Sequence, residues 1–404
     1  MRTIVFIESN KSGSSREAIK AAERLGYFTV LFTNKQKFIQ QRTEFPEVHQ
    51  MILVDLSNYD EIIKSLNNLQ KQGKQIEGIF SFVHSYVHLA ATLSEKFCTS
   101  VVSTDAILKM ENKVLTRELL KGHPNSPYYA LYTPDYPLEY FINQAKDYLP
   151  LILKSPASAG SKDVLLANNE SQLRVAIQEL RKKNEQILLE EYLNGPQFLV
   201  EVLVHKGKVH IIAIVEQQIT FFRRFIVTGY CLLPNLNQRF YDSIYETVSS
   251  ILKAFQMKNG ACHLEMRLVN GVWKLIEINP RISGGAMNRI IEIGYGINLV
   301  EETIQLMLGN EPRLTKKHRK YVYAHYLTVE TRGKLIKVTG KELVSELPGV
   351  EEVYIKPRKG QIVRPPISMG DRCGYILASS DYKMEAKRMA IKAASNIRFY
   401  LDPL

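Results

Sequence analysis

The stretch Lys274–Gly285, KLIEINPRISGG, decides how this chain is read. It has the apolar content of a buried strand, yet Glu277, Asn279 and Arg281 recur at every second position. Alternate residues of a strand share a face. A carboxylate, an amide and a guanidinium would therefore project together from a strand whose other face carries Ile276 and Ile278. Charged groups buried without partners cost several kcal/mol, so such a face needs either counter-charges or a ligand.

The preceding segment, ACHLEMRLVNGVW, supplies the second half of a hairpin around Asn270-Gly271. A two-residue Asn-Gly turn pairs Val269 with Val272 and sets Glu265 opposite Ile276. A three-residue loop, with Gly271 as a left-handed bulge residue, shifts the register by one. A one-residue slip exchanges the two faces of a strand, so the apolar residues arbitrate. With the longer loop, Cys262, Leu264, Met266, Leu268, Val272, Ile276 and Ile278 share one face. His263, Glu265, Arg267, Glu277 and Asn279 share the other. The three-residue loop is therefore the expected geometry. It gathers two carboxylates and one amide oxygen, a hard-oxygen set that suits Mg²⁺. An ion-pair network, in which Arg267 and Arg281 neutralise Glu265 and Glu277, is the competing reading.

The whole chain has 404 residues, enough for about two or three domains of ~150 residues each. It is 45% hydrophobic, with a formal net charge of +12 that points to an anionic partner. The basic run Lys316 to Lys320 stands alone, with no nucleic-acid signature around it, and reads as a solvated connector. Four well-separated cysteines suit reduced thiols in a cytoplasmic protein. No window approaches the ~18 apolar residues of a membrane span. Neither a nucleic acid nor a membrane is expected as partner.

The first hundred residues alternate strand and helix, which predicts a parallel, Rossmann-like sheet. A G-x-G-x-x-G fingerprint is missing after the first strand, although Gly13 and its small neighbours open a helix that could cradle an anion. A helix is expected over about Asp105 to Lys121, another near Asn288 to Leu308, and a last one from Met384 to Tyr400. From LPLILKS onward the pattern turns mixed. The strand carrying Lys154 runs into a loop of small residues, SPASAGSKD, that suits phosphate oxygens. Then comes ILLEEYLNGPQF, a strand ending in two glutamates and a Gly195-Pro196 linker. The segment Glu216 to Tyr230, with Arg223 and Arg224 among aromatics, reads either as a loop over a substrate or as an aromatic core strand.

Lys113, Lys154, the small-residue loop, LLEEYLNGPQF, HLEMR and EINPRISGG occur in this order. Together they resemble the ATP-grasp superfamily, in particular bacterial L-amino-acid ligases that make dipeptides. The resemblance covers nearly the whole chain. It implies a mixed α/β and α+β architecture: a Rossmann-like domain over 1–104, an ATP-grasp domain over 105–310 with a small lobe at about 123–193, and a lid-like part over 311–404.

The same resemblance implies ATP and Mg²⁺, with Mn²⁺ as a substitute, as cofactors, amino acids as substrates, arginine as a carboxyl donor, and a homodimer. Lys113 and Lys154 would hold ATP phosphates, with Ser158, Gly160 and Ser161 closing over them. Glu190, Tyr192 and Leu193 would contact adenine. Gln197 stands where many relatives carry a ribose-binding glutamate, with Glu201 as a substitute for that contact. Glu265, Glu277 and Asn279 would hold the metal, and Arg281 and Gly284 would stabilise the reaction centre. Read from their own positions, His263 either orients a substrate or is a satisfied sheet histidine, and Arg267 either faces the carboxylate substrate or balances Glu265. Another ATP-grasp ligase or carboxylase, or a nucleotide-binding module without turnover, are the rival readings.

Overall fold

The computed structural model describes residues 1–156, 163–182, 186–222 and 224–404. Ser158, Gly160, Ser161 and Arg223 lie outside them. The N-terminal part is a four-stranded parallel sheet in the order Gln50–Leu53, Phe28–Thr33, Arg2–Ile7, Gln75–Phe80. Val5, Ile7, Val30 and Phe32 pack on one face beneath Ile62, Leu66 and Leu69 of the helix Tyr59–Lys71. These are the i, i+4, i+7 positions that an amphipathic helix turns towards a sheet.

A second sheet of four short antiparallel strands, ordered Tyr129–Tyr132, Ile187–Glu191, Leu151–Lys154, Val164–Ala167, carries the helices Leu138–Ala145 and Glu170–Leu180 on its apolar face. The largest element is an eight-stranded sheet. Its order is Val272–Asn279, Gly260–Val269, Gln197–His205, Lys208–Phe221, Phe225–Leu232, Tyr321–Leu327, Gly374–Ser380, Val350–Ile355. The last three strands come from beyond residue 310, so the C-terminal segment extends the central sheet directly. Cys262, Leu264, Met266, Trp273, Leu275 and Ile278 bury one face of that sheet against Ile244, Val248 and Ile251 of the helix Gln238–Ala254.

The hairpin differs from expectation in an informative way. Val269 pairs with Val272, so the loop has two residues, not three. Asn270 and Gly271 both adopt positive φ, 49° and 80°, as the type I′ turn requires. The register is restored further along: Glu265 faces Glu277 but Met266 faces Leu275, with Ile276 as an extra residue. A β-bulge thus does what the longer loop was expected to do.

Several element boundaries also differ. The helix expected over Asp105 to Lys121 is two, Thr104–Glu111 and Lys113–Leu119. Asn112 is extended between them, and its side chain accepts from the N–H groups of Val114 and Leu115, capping the second helix. The helix expected near Asn288 to Leu308 divides into Met287–Tyr295 and Leu299–Met307 at left-handed Gly296. The last helix stops at Ala394, and Arg398–Pro403 is a strand paired with Gly333–Thr339. Ile397, Phe399 and Leu401 face the core there with a period of two, which is the strand period. The segment Glu216 to Tyr230 is a hairpin within the central sheet, not a loop over it.

Candidate functional site

The alternation of the strand Gly260–Val269 turns His263, Glu265 and Arg267 away from the core, and the bulge turns Glu277 and Asn279 to the same side. They open onto a cavity of about 350 Å³ between the central sheet and the small antiparallel sheet. Of the candidate residues among those described, Lys113, Lys154, Glu190, Tyr192, Leu193, Gln197, His263, Glu265, Arg267, Glu277, Asn279, Arg281 and Gly284 line it, and Glu201 does not.

The bulge leaves carbonyl groups turned out of the ladder, and buried carbonyls need donors. Arg117 supplies them, donating from Nη2 to Leu275 O at 3.0 Å and Ile276 O at 2.6 Å. Its Nε lies 2.6 Å from Glu190 Oε1, while Lys154 Nζ is 2.7 Å from Glu190 Oε2. Glu190 thus links the small sheet to the helix Lys113–Leu119. Burial alone would push its carboxyl up, but Arg117 and Lys154 hold it below the usual range. Burial lowers the Lys154 ammonium, against the pull of Glu190. Arg117 was not anticipated. Its signal was its place one turn beyond Lys113, on the same helical face.

Lys113 Nζ sits 3.3 Å from Glu277 Oε1. Among the described residues neither Arg267 nor Arg281 forms an ion pair with Glu265 or Glu277, so the arginine network is not what the fold builds. Arg267 instead donates to Gln197 Oε1 at 3.0 Å and to Leu193 O. Gln197 Nε2 in turn reaches Gln217 Oε1 at 2.6 Å and Glu265 Oε2 at 3.2 Å. Burial and the charge of Glu277 push the Glu265 carboxyl up, whereas Lys113 and Lys154 overcome burial and keep Glu277 low. Two facing carboxylates, one paying for its neighbour's charge, with an amide beside them, form a donor set that a divalent cation satisfies. The described residues hold no cluster of three His, Cys, Asp or Glu side chains fit for a metal. The fit therefore rests on two carboxylates, Asn279 and oxygens of a substrate.

Past Asn279 the chain turns back towards the N-terminal sheet. Arg281 is almost fully buried, with Nη1 on Ile282 O at 2.9 Å and Nε without a partner. Its carbonyl oxygen is 2.8 Å from His263 Nδ1. Burial, then the charge of Arg281, pushes the His263 imidazole down to about 3, so it is neutral and acts on backbone position. Glu201, considered as a ribose ligand, is fully buried and accepts from Ser283 N at 3.0 Å and from Ser283 Oγ. It fixes the loop after Arg281 from beneath. Gly13, with φ 81°, closes the other side: a Cβ there would lie 3.2 Å from Gly285 N. The helix Ser14–Arg24 thus meets this loop backbone to backbone, with Ser14 Oγ donating to Ser283 O.

Two of the expected adenine contacts are already engaged: Tyr192 N–H donates to Pro150 O at 3.0 Å, and Leu193 O accepts from Arg267. Arg224 pairs with Glu179 at 3.0 Å, outside the cavity. His84, Tyr230, Met369 and Arg372 line the cavity and were missed. His84 follows the strand Gln75–Phe80, at the carboxyl end of a parallel sheet where ligand crevices form. Tyr230 comes from the strand Phe225–Leu232, and Met369 and Arg372 from the turn before the strand Gly374–Ser380; none had a local signal.

Three family models match the chain: an ATP-grasp N-terminal domain over 19–97, an ATP-grasp domain over 148–289, and an L-amino acid ligase C-terminal domain 2 over 325–402. The chain belongs to the ATP-grasp superfamily. Within it, this ATP-grasp protein is a carboxylate–amine ligase of the L-amino acid ligase family. The crystal structure of an L-amino acid ligase from Bacillus licheniformis superimposes with a TM-score of 0.84, at 20% identity, over 100% of this chain and 99% of that one. An uncharacterized protein of Sinorhizobium fredii, y4rH, is 22% identical over 100% of this chain and 84% of its own length. An L-arginine-specific L-amino acid ligase of Bacillus subtilis is 25% identical over 46% of this chain and 45% of its own. The chain thus spans less than half of that second relative. No described helix of the ATP-grasp ligase is long and apolar enough to cross a membrane.

Proposed function

We propose that the protein joins two amino acids into a dipeptide, with ATP converted to ADP and phosphate. The observation that carries this reading is the convergence of Glu265, Glu277 and Asn279 with Lys113, Lys154 and Arg281 on one cavity. A carboxylate is a poor electrophile. Transfer of the γ-phosphoryl group to a carboxylate oxygen gives an acyl phosphate and ADP. An amine nitrogen then attacks the acyl carbon, the C–O bond to phosphate breaks, phosphate leaves with the electron pair, and the amine loses a proton.

Little covalent work falls on the protein, so positioning and charge carry the rate. Lys154, aligned by Glu190, and Lys113 face the phosphate chain. Glu265, Glu277 and Asn279 would hold Mg²⁺, or Mn²⁺ in its place, and the bound cation would offset repulsion between anionic reactants. Arg281 meets the oxyanion that develops at the acyl carbon, and its missing Nε partner leaves a donor for it. Gly284 offers backbone beside it. Gln197, locked by Arg267 and Gln217, is a fixed amide for a ribose hydroxyl.

Arginine as donor would need a carboxylate close to Arg281. Phosphate release across the twenty amino acids, singly and in pairs, with mass spectrometry of products, tests the reading. Amino-acid-dependent release with a dipeptide product supports it; ATP binding without any amino-acid-stimulated turnover sinks it.

A further inference from the structure

The proposed reaction brings two amino acids to one cavity, and only one of their carboxylates reacts. The other, on the amino acid that supplies the amine, is a permanent anion in a partly buried site and needs its own cation. Lys113 and Lys154 are already paired with Glu277 and Glu190. Arg267 is committed to Gln197 and Leu193, and Arg281 belongs to the reaction centre.

Among the described residues one further cation lines the cavity, and it comes from the C-terminal segment. Arg372 donates from Nε to Met369 O at 3.1 Å and from Nη1 to Val227 O at 3.1 Å. Its guanidinium lies over the Tyr326 ring, 3.6 Å from the centroid. These contacts fix its direction, but carbonyls and a ring do not neutralise it, and no carboxylate pairs with it among the described residues. Tyr326 is buried, its hydroxyl has no hydrogen-bond partner there, and that oxygen would be 3.4 Å from a Cβ on Gly285. Tyr230, which lines the cavity, packs edge-on against Tyr326 at 5.6 Å. A held guanidinium thus shares the cavity with the glycines that follow Arg281, and the orphaned hydroxyl under it lies against Gly285.

Resting on the proposed ligase reading, we propose that Arg372, with the Tyr326 hydroxyl beside it, binds the carboxylate of the amine-supplying amino acid. Arg372 is then a specificity residue for the second substrate: it admits free amino acids and rejects those whose carboxyl group is blocked.

Steady-state kinetics on the full chain test this, with donor and acceptor identified from the order of residues in the product. Arg372→Ala is expected to raise KM for the acceptor about tenfold to hundredfold, while KM for ATP and for the donor stay within about twofold. Wild type should prefer an acceptor over its carboxamide by a similar factor, Arg372→Ala should lose that preference, and Arg372→Lys should recover part of it. Tyr326→Phe should shift the same constant in the same direction, by less. The inference fails if Arg372→Ala acts on ATP or on the donor instead, or if wild type uses acid and carboxamide equally. The second comparison needs no variant, so misfolding of Arg372→Ala does not shield the proposal. A wild type that forms no dipeptide from any pair overturns the ligase reading and this inference with it; loss of the carboxylate preference alone overturns only the inference.

Discussion

Arg117 Nε lies 2.6 Å from Glu190 Oε1, and the same guanidinium holds the carbonyl oxygens of Leu275 and Ile276. One side chain therefore joins the helix after Asn112, the small sheet and the bulge that turns Glu277 into the cavity. Both partners of this ion pair are nearly inaccessible, at 2% and 6% side-chain exposure. Breaking a buried pair from one side is strongly destabilising, because the remaining charge stays in place. Arg117→Met is expected to cost about 3–5 kcal/mol in denaturant unfolding. A loss under 1 kcal/mol would show that Lys154 alone balances Glu190.

Glu277→Ala removes one of the two facing carboxylates and its ion pair with Lys113. We expect ADP formation to fall by about a hundredfold or more while the fold persists, as judged by circular dichroism. Turnover close to wild type would remove Glu277 from the metal set.

Glu201 gives a pH signature in stability. Burial lifts its folded carboxyl from 4.5 to about 7, although Ser283 donates to it. The folded state then holds this proton to higher pH than the unfolded state does. Its contribution is fully present below about 4.5, declines as pH rises to about 7, and is flat above. A shift of this size corresponds to about 3 kcal/mol at most. Glu201→Gln should abolish that slope, so the stability difference between wild type and variant should change across this window; a difference independent of pH would refute the assignment.

Gly13→Ala tests the contact between the N-terminal helix and the loop after Arg281. Its φ of 81° and the 3.2 Å approach to Gly285 N both oppose a side chain. The expected cost is about 1–2 kcal/mol, with a fall in kcat as the loop bearing Gly284 is displaced. Unchanged stability and unchanged kcat together would show that the two backbones separate freely.

Much of this was legible in the chain itself. The alternation of Glu277, Asn279 and Arg281 against apolar neighbours is a local pattern, and a buried face enforces it. The polar face of the hairpin was therefore correct even though the loop was not. The bulge at Ile276 could not be read because it depends on Arg117, 159 positions away, donating to the carbonyl that it displaces. Asn112 and Gly296 ended helices that the apolar period alone would have continued.

What the sequence determined by itself is which residue types share a strand or helix face, since that follows from backbone period and from the cost of burying charge. Tertiary structure decided the pairings across elements. Glu201 turned inward to Ser283, Glu190 was claimed by two cations, and Arg372 reached the cavity from the turn that precedes the strand Gly374–Ser380. Such pairings depend on distances between residues far apart in the chain, and only packing of the sheets sets those distances.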